Sequence, residues 1–292
     1  MPIAYMQAVA ARYQSLGYAP YRWFKAADAP PWQSLTKPLA AARIGMLSTA
    51  GAYALGQVAY HYKDDTSLRQ IPAATADTDL RFSHLTENYL VDPRRDPGCI
   101  FPLRTLHALA AEGFIGVLAD QVLSCMGAVY SQRRVREELA PALLAAFKAQ
   151  QVDAALLVAM RPVCHQTVCL VARQLEANGI PTLCLGSAFD VIESGRPPRA
   201  ALVDYPLGHS SGKPFDRADQ IDIVRAALRG LEAMTQPGEI HRLPNRWDAH
   251  GEWQRAAAQT GGGDTRQPRN ETPQFQHAGD RAAARASGAL AD

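Results

Sequence analysis

The fold is decided between Asp153 and Leu185. An apolar run, Ala154-Ala155-Leu156-Leu157-Val158-Ala159-Met160, leads into Arg161-Pro162-Val163-Cys164-His165-Gln166-Thr167. A helical stretch from Thr167 to Asn178 then stops at Gly179, and Ile180 to Leu185 is apolar again. Two apolar runs without polar alternation, joined by about a dozen helix-forming residues, are the pattern of parallel strands buried on both faces and linked by a helical crossover. Gly179 supplies the left-handed residue that commonly closes such a helix.

Outward from this unit the alternation continues. Toward the N-terminus, Arg43 to Thr49 reads as a buried strand entering a loop at Gly51, and Pro102 to Glu112 as a helix ended by Gly113. Phe114 to Leu118 is strand-like. Ser131 to Gln150 is helical, with Pro141 expected to split it into two pieces. Ile3 to Leu16 has apolar residues at helical spacing up to Gly17. Toward the C-terminus come a short strand, Ala200 to Val203, and a helix, Asp216 to Met234. The fold class expected is α/β: three layers, a mainly parallel sheet with helices on both faces, over residues 1–245 as one domain. From Arg246 onward the only large apolar or aromatic residues are Trp247, Trp253, Phe275 and Leu290, so 246–292 is expected to be a disordered tail.

Thirty Lys and Arg against 28 Asp and Glu leave a net charge of +2 over 292 residues. Nucleic-acid and anionic-membrane binding need a strong basic excess and are not expected. The longest uncharged run, Ile44 to Tyr60, is interrupted by glycines and polar residues and falls short of the roughly 20 apolar residues of a membrane span. The N-terminus carries no secretory pattern, and five irregularly spaced cysteines make no disulfide framework, so a cytoplasmic location with free thiols is expected. No cysteine has companions at metal-ligand spacing, and no metal site is expected.

In a parallel α/β sheet, ligands bind beyond the carboxyl ends of strands. Here that place is Arg161 to Thr167. Cys164 falls at or just before the first turn of the next helix, where the dipole and Arg161 or His165 would favour a thiolate; the other reading is a small apolar residue packed in the core. Cys169 and Cys184 read as core. A second polar cluster, Ser83-His84-Leu85-Thr86-Glu87-Asn88-Tyr89 through Asp92-Pro93-Arg94-Arg95-Asp96-Pro97, is either a site loop or a solvated turn. The loop Asp204 to Pro214, with Gly208, Gly212 and Lys213, is a weak candidate for an anion cradle.

Several of these motifs occur together in one known family. Tyr21-Arg22-Trp23, Leu35-Thr36-Lys37-Pro38-Leu39, Asp65-Thr66-Ser67-Leu68-Arg69-Gln70-Ile71-Pro72, Ser83 to Tyr89, Asp92 to Pro97, Pro162 to Thr167 and Tyr205-Pro206-Leu207-Gly208 stand in order over most of the chain. The chain resembles the selenoprotein B family of the glycine, sarcosine, betaine and D-proline reductases. The resemblance implies a thiol/dithiol-dependent reductase subunit acting on a small amino-acid-like substrate, in which a selenocysteine of a Sec-x-x-Cys motif displaces an amine or opens a ring. It also implies partner subunits, in some members with a pyruvoyl group, and a thioredoxin-like or other dithiol donor; a homo-oligomer is a separate expectation.

At the decisive position this chain departs from the pattern. Cys164 matches the resolving cysteine, and the residue three places earlier is Arg161, which is always protonated and is no nucleophile. Two functions follow. In one, Cys164 is the redox thiol, its pKa lowered by Arg161, with His165 as general acid and Arg161, His84, Glu87 and Asn88 binding substrate. In the other, the chain is a non-catalytic descendant that keeps Arg161 as an anchor for a small carboxylate or serves as a partner subunit.

Overall fold

The computed structural model describes residues 2–258 and 266–291. The strands are β1 Arg43–Ser48, β2 Ala52–Ala54, β3 Arg69–Pro72, β4 Leu80–Phe82, β5 Val117–Leu118, β6 Gln121–Ser124, β7 Ala154–Val158, β8 Thr182–Gly186, β9 Arg199–Asp204 and β10 Glu239–Arg246. The helices are α1 Tyr5–Ser15, α2 Leu103–Ala111, α3 Gln132–Arg134, α4 Ala140–Ala149, α5 Pro162–Glu176, α6 Phe189–Gly195, α7 Arg217–Ala233, α8 Glu252–Ala258 and α9 Ala278–Ala286.

Eight strands form one sheet in the order β10-β9-β8-β7-β1-β6-β3, with β5 and β6 lying one after the other along the same side of β1. Every pairing is parallel except β3 on β6. The strands have no polar alternation because both faces are covered. Ile44, Met46, Leu156 and Val158 pack toward α2 and α7, and Leu47, Ala155, Leu157 and Leu202 pack toward α4 and α5. This is the α/β architecture expected from the sequence. The chain moves from β1 to β6 on one side and from β7 to β8, β9 and β10 on the other, so the strand order reverses between β1 and β7. The place beyond their carboxyl ends is the usual ligand position in such sheets.

Three local expectations are corrected. Pro141 does not split the helix of 131–150. The turn before it, Val135–Leu139, widens to a π-helix, which makes room for a residue that cannot donate to position 137, and the helix runs on to Ala149. The crossover helix starts at Pro162 rather than Thr167, with Pro162 at its first position, where a missing N–H costs nothing.

The third correction concerns the tail. Residues 259–265 lie outside the described residues, but 246–258 and 266–291 lie against the body. Gln267 N–H donates to Leu85 O (3.0 Å), Tyr62 N–H to Asn270 O (3.2 Å) and Gln274 N–H to Tyr60 O (2.9 Å). Buried Asp280 accepts from Tyr53 Oη (3.0 Å) and Arg81 Nε (3.2 Å), and Phe275 meets Tyr53 edge-on. A rule that counts large apolar residues misses a segment that docks through its backbone and one buried carboxylate. Asp280→Ala leaves Tyr53 and Arg81 without their acceptor at a cost of about 1–3 kcal/mol. Hydrogen exchange of residues 266–291 should rise while that of β7 and α5 stays unchanged; an unchanged tail would show that the latch holds nothing.

Candidate functional site

Thr49 joins the two strand ends at the reversal. Its N–H and hydroxyl both donate to Val158 O (3.0 Å each), and its hydroxyl accepts from Met160 N–H (3.1 Å). On the other side Cys125 N–H donates to Ser48 O (3.1 Å) and Gly51 N–H to Cys125 O (3.0 Å). Gly127 passes so close that a Cβ there would lie 2.4 Å from Thr49 Cβ and 3.0 Å from Cys164 Sγ, and its φ of +68° also favours glycine.

Arg161 is the N-cap of α5, and Cys164 is the third helical residue. Cys164 is fully buried; its thiol donates to Thr49 O (3.6 Å) and lies 3.5 Å from His84 Nε2. Thr86 N–H donates to His84 Nδ1 (3.2 Å), which assigns the ring proton to Nε2, facing the sulfur. Burial pushes the Cys164 thiol up, against the opposing pull of Arg161, a backbone hydrogen bond and Thr49. The expected lowering by Arg161 is thus outweighed by desolvation. Burial, and next Arg161, hold His84 well below the usual histidine range, against a hydrogen bond with the Met126 backbone. Cys164 and His84 form a neutral thiol–imidazole contact.

His165, expected beside the thiol, is elsewhere. Its Nδ1 hydrogen bonds to Arg161 O (2.7 Å), and its Nε2 accepts from Ser187 N–H (2.8 Å) and Ala188 N–H (3.1 Å). Gly186 leaves room for the ring, since a Cβ there would sit 2.5 Å from it. His165 ties α5 to the end of β8 as a neutral spacer, and no ring nitrogen is left for proton transfer. Glu87 is bound to Tyr62 Oη (2.6 Å) and Arg94 (2.5 Å), and Asn88 is exposed, so neither reaches the switch point. The Asp204–Pro214 loop spends its groups on structure: Ser210 donates to Ala159 O (2.6 Å) and His209 contacts Asp92 (3.0 Å).

Arg161 itself is 9% exposed, and its Nε and Nη1 are buried without a hydrogen-bond partner. No carboxylate pairs with it among the described residues. Burial alone would lower its pKa, yet Tyr130, Cys164, Tyr89 and Tyr13 raise it, so the guanidinium stays charged. Tyr130 responds in turn: its phenol is lowered despite burial, by Arg161 first and then Tyr13 and Arg266. Tyr13 and Tyr130 also line a cleft of about 780 Å³, with Tyr18, Tyr21, Arg266 and Arg269 as its other principal walls. Arg266 lies over Tyr13 and Arg269 over Tyr130 at the cleft mouth. The tyrosines were not apparent from the sequence, because α1 and the segment after β6 meet only in the folded chain. Among the described residues, no cluster of three or more His, Cys, Asp or Glu is placed to hold a metal ion, and no helix is long and apolar enough to cross a membrane.

Fold and site define an α/β protein with a buried, charged arginine at the switch point of a parallel sheet and tyrosines beside it that line a neighbouring cleft. Sequence comparison gives its kinship: 30% identity over 220 residues to D-proline reductase subunit gamma of Acetoanaerobium sticklandii, covering 75% of this chain and 90% of that protein. The chain belongs to the family of that subunit. No protein-family model matches it, and no solved structure does.

The histidine lock yields a pH prediction. Burial lowers His165 to about 4, so the unfolded chain, titrating near the ordinary 6.5, binds the extra proton between these values. Stability is therefore complete above pH 6.5 and falls as pH drops from 6.5 toward 4, by on the order of 3 kcal/mol from this one group. In urea titrations across that window, His165→Gln should flatten the slope. An unchanged slope would contradict the assignment.

Proposed function

We propose that this chain is a subunit of an amino-acid-reductase-type assembly in which Arg161, at the switch point of the sheet, binds a small carboxylate. One observation carries the reading: a charged guanidinium is buried with two unmet donor atoms and, among the described residues, no carboxylate paired with it. A buried, uncompensated charge costs several kcal/mol, and such an arrangement is retained where a ligand supplies the counter-charge. The neighbouring tyrosines add neutral hydrogen-bonding groups and exclude water. The related gamma subunit's name assigns it to D-proline reductase, a multi-subunit enzyme, which supports partner subunits for this chain as well.

A second reading, Cys164 as a redox thiol, is favoured by its 3.5 Å contact with the protonated edge of His84. That edge would stabilise a thiolate once formed. Against it stand the complete burial and raised pKa of the resting thiol. A reductase cycle on one thiol would also need a second thiol from the dithiol donor or a partner subunit.

Arg161→Met separates binding from structure. It removes the charge while keeping an apolar stem, so the variant should unfold at higher urea than the native chain, by about 1–4 kcal/mol. Calorimetric affinity for small carboxylates should fall at least tenfold. A destabilised variant with unchanged affinity would refute the anchor. Dithiothreitol-driven turnover of D-proline by the native chain, abolished in Cys164→Ser, would establish the second reading instead.

A further inference from the structure

Residues 266–274 run as a strap over a small cluster of Tyr60, Tyr62, Leu85, Met126 and Ala128, against which Tyr130 packs. Gln267 N–H donates to Leu85 O (3.0 Å), Tyr62 N–H to Asn270 O (3.2 Å) and Gln274 N–H to Tyr60 O (2.9 Å). Arg269 pairs with Asp64 (2.6 Å) and lies over the Tyr130 ring, and Lys63 pairs with Glu271 (2.9 Å). Asp64 in turn accepts from Tyr130 N–H (2.5 Å). Each of these contacts falls on the cluster or beside it.

The same cluster leads to the switch point. Leu85 follows His84, whose Nε2 lies 3.5 Å from Cys164 Sγ. Met126 precedes Gly127, where a Cβ would collide with Thr49 and touch Cys164. Tyr60 Oη donates to Ser124 O (2.8 Å), the last residue of β6. The cluster therefore joins the strap to the two residues, His84 and Gly127, that close around the thiol.

Cys164 and His84 are fully buried, so a reagent or ligand reaches them when a covering element moves. The strap is weakly anchored. Within 266–291 the buried residues are Asp280 and Ala284, and 267–272 are all exposed. Ion pairs at such exposure contribute about 0–1 kcal/mol each. A segment with few buried apolar contacts and exposed backbone hydrogen bonds opens at a lower free energy than the core. The helices over the sheet, α2, α4, α5 and α7, are held instead by buried apolar faces.

From this we infer that residues 266–274 gate the switch point. Docked, the strap holds Leu85 and the tyrosine cluster in place and keeps His84 closed on Cys164; on local release the cluster loosens and small molecules reach the thiol. Its latch is the segment that follows: Asp280 on Tyr53 and Arg81, and Gln276, which donates its N–H to Tyr53 Oη (2.8 Å) and accepts from Phe82 N–H (2.8 Å). The gate concerns access and stands whether or not Arg161 anchors a carboxylate.

The test is the rate at which iodoacetamide alkylates each cysteine of the intact chain, read by peptide mass spectrometry, with hydrogen exchange of 266–274 followed alongside. Two variants release the strap: Gln267→Pro, which removes the N–H bound to Leu85 O, and Asp280→Ala, which removes the latch. Each should raise the Cys164 rate about tenfold or more, the change that roughly 1.4 kcal/mol in the opening equilibrium produces. Gln267→Ala keeps the N–H and should match the native chain. Cys169 and Cys184, in the core cluster under α4 and α5, should stay slow in every variant. An unchanged Cys164 rate overturns the gate, whether exchange shows the strap released or still docked. Equal acceleration of all five cysteines overturns it too, since the variants would then report global unfolding.

Discussion

Everything at the site depends on the reversal of strand order between β1 and β7, held by Thr49. Because the sheet grows outward in opposite directions from this pair, no crossover covers the carboxyl ends of the two strands, and the loops that follow them diverge. Thr49 keeps the gap narrow by bonding Val158 O and Met160 N–H across it. After β7, Arg161 takes the N-cap position of α5 with its guanidinium buried, and Pro162 starts the helix at once. Gly127 completes the close approach from the third side, where any side chain would collide with Thr49 and Cys164.

This geometry concentrates cost at one residue. The guanidinium of Arg161 is surrounded by phenols and a thiol, none of which cancels its charge, while the two ion pairs of comparable burial elsewhere are complete: Arg199 with Glu176 (2.6 Å) and Arg81 with Asp280 (3.2 Å). The same fold therefore knows how to neutralise a buried arginine and does so away from the switch point. Cys164 pays the converse penalty, since the closeness that shields Arg161 also desolvates the thiol and raises its pKa.

The parallel sheet was legible because β7, α5 and β8 are long, apolar and punctuated by Gly179, and the placing of Arg161 and Cys164 beyond β7 followed from that alone. What the sequence hid was of two kinds. The partners of Arg161 and Cys164 come from distant segments, Tyr13 on α1, His84 beyond β4 and Tyr130 beyond β6, and no local pattern predicts such meetings. His84 was visible as one residue of a polar loop, but its selection over His165 depended on which ring nitrogens the backbone had already claimed. The C-terminal segment was misjudged because composition weighs apolar burial and is blind to docking through hydrogen bonds, as Gln267, Gln274 and Asp280 show. The motif Asp92 to Pro97 proved structural: Asp96 accepts from Gly98 N–H, Arg104, Phe215 N–H and Gln220, and so ties the loop before α2 to the loop before α7.

If Arg161 anchors a small carboxylate as proposed, its counter-charge comes from outside the chain. A crystal structure of the full-length protein grown with glycolate tests it most directly. The expected result is a carboxylate oxygen of glycolate within hydrogen-bond distance of Arg161 Nε or Nη1, with no carboxylate of the protein at the guanidinium. Arg161 paired with an Asp or Glu of its own chain, or glycolate bound only elsewhere, would contradict it.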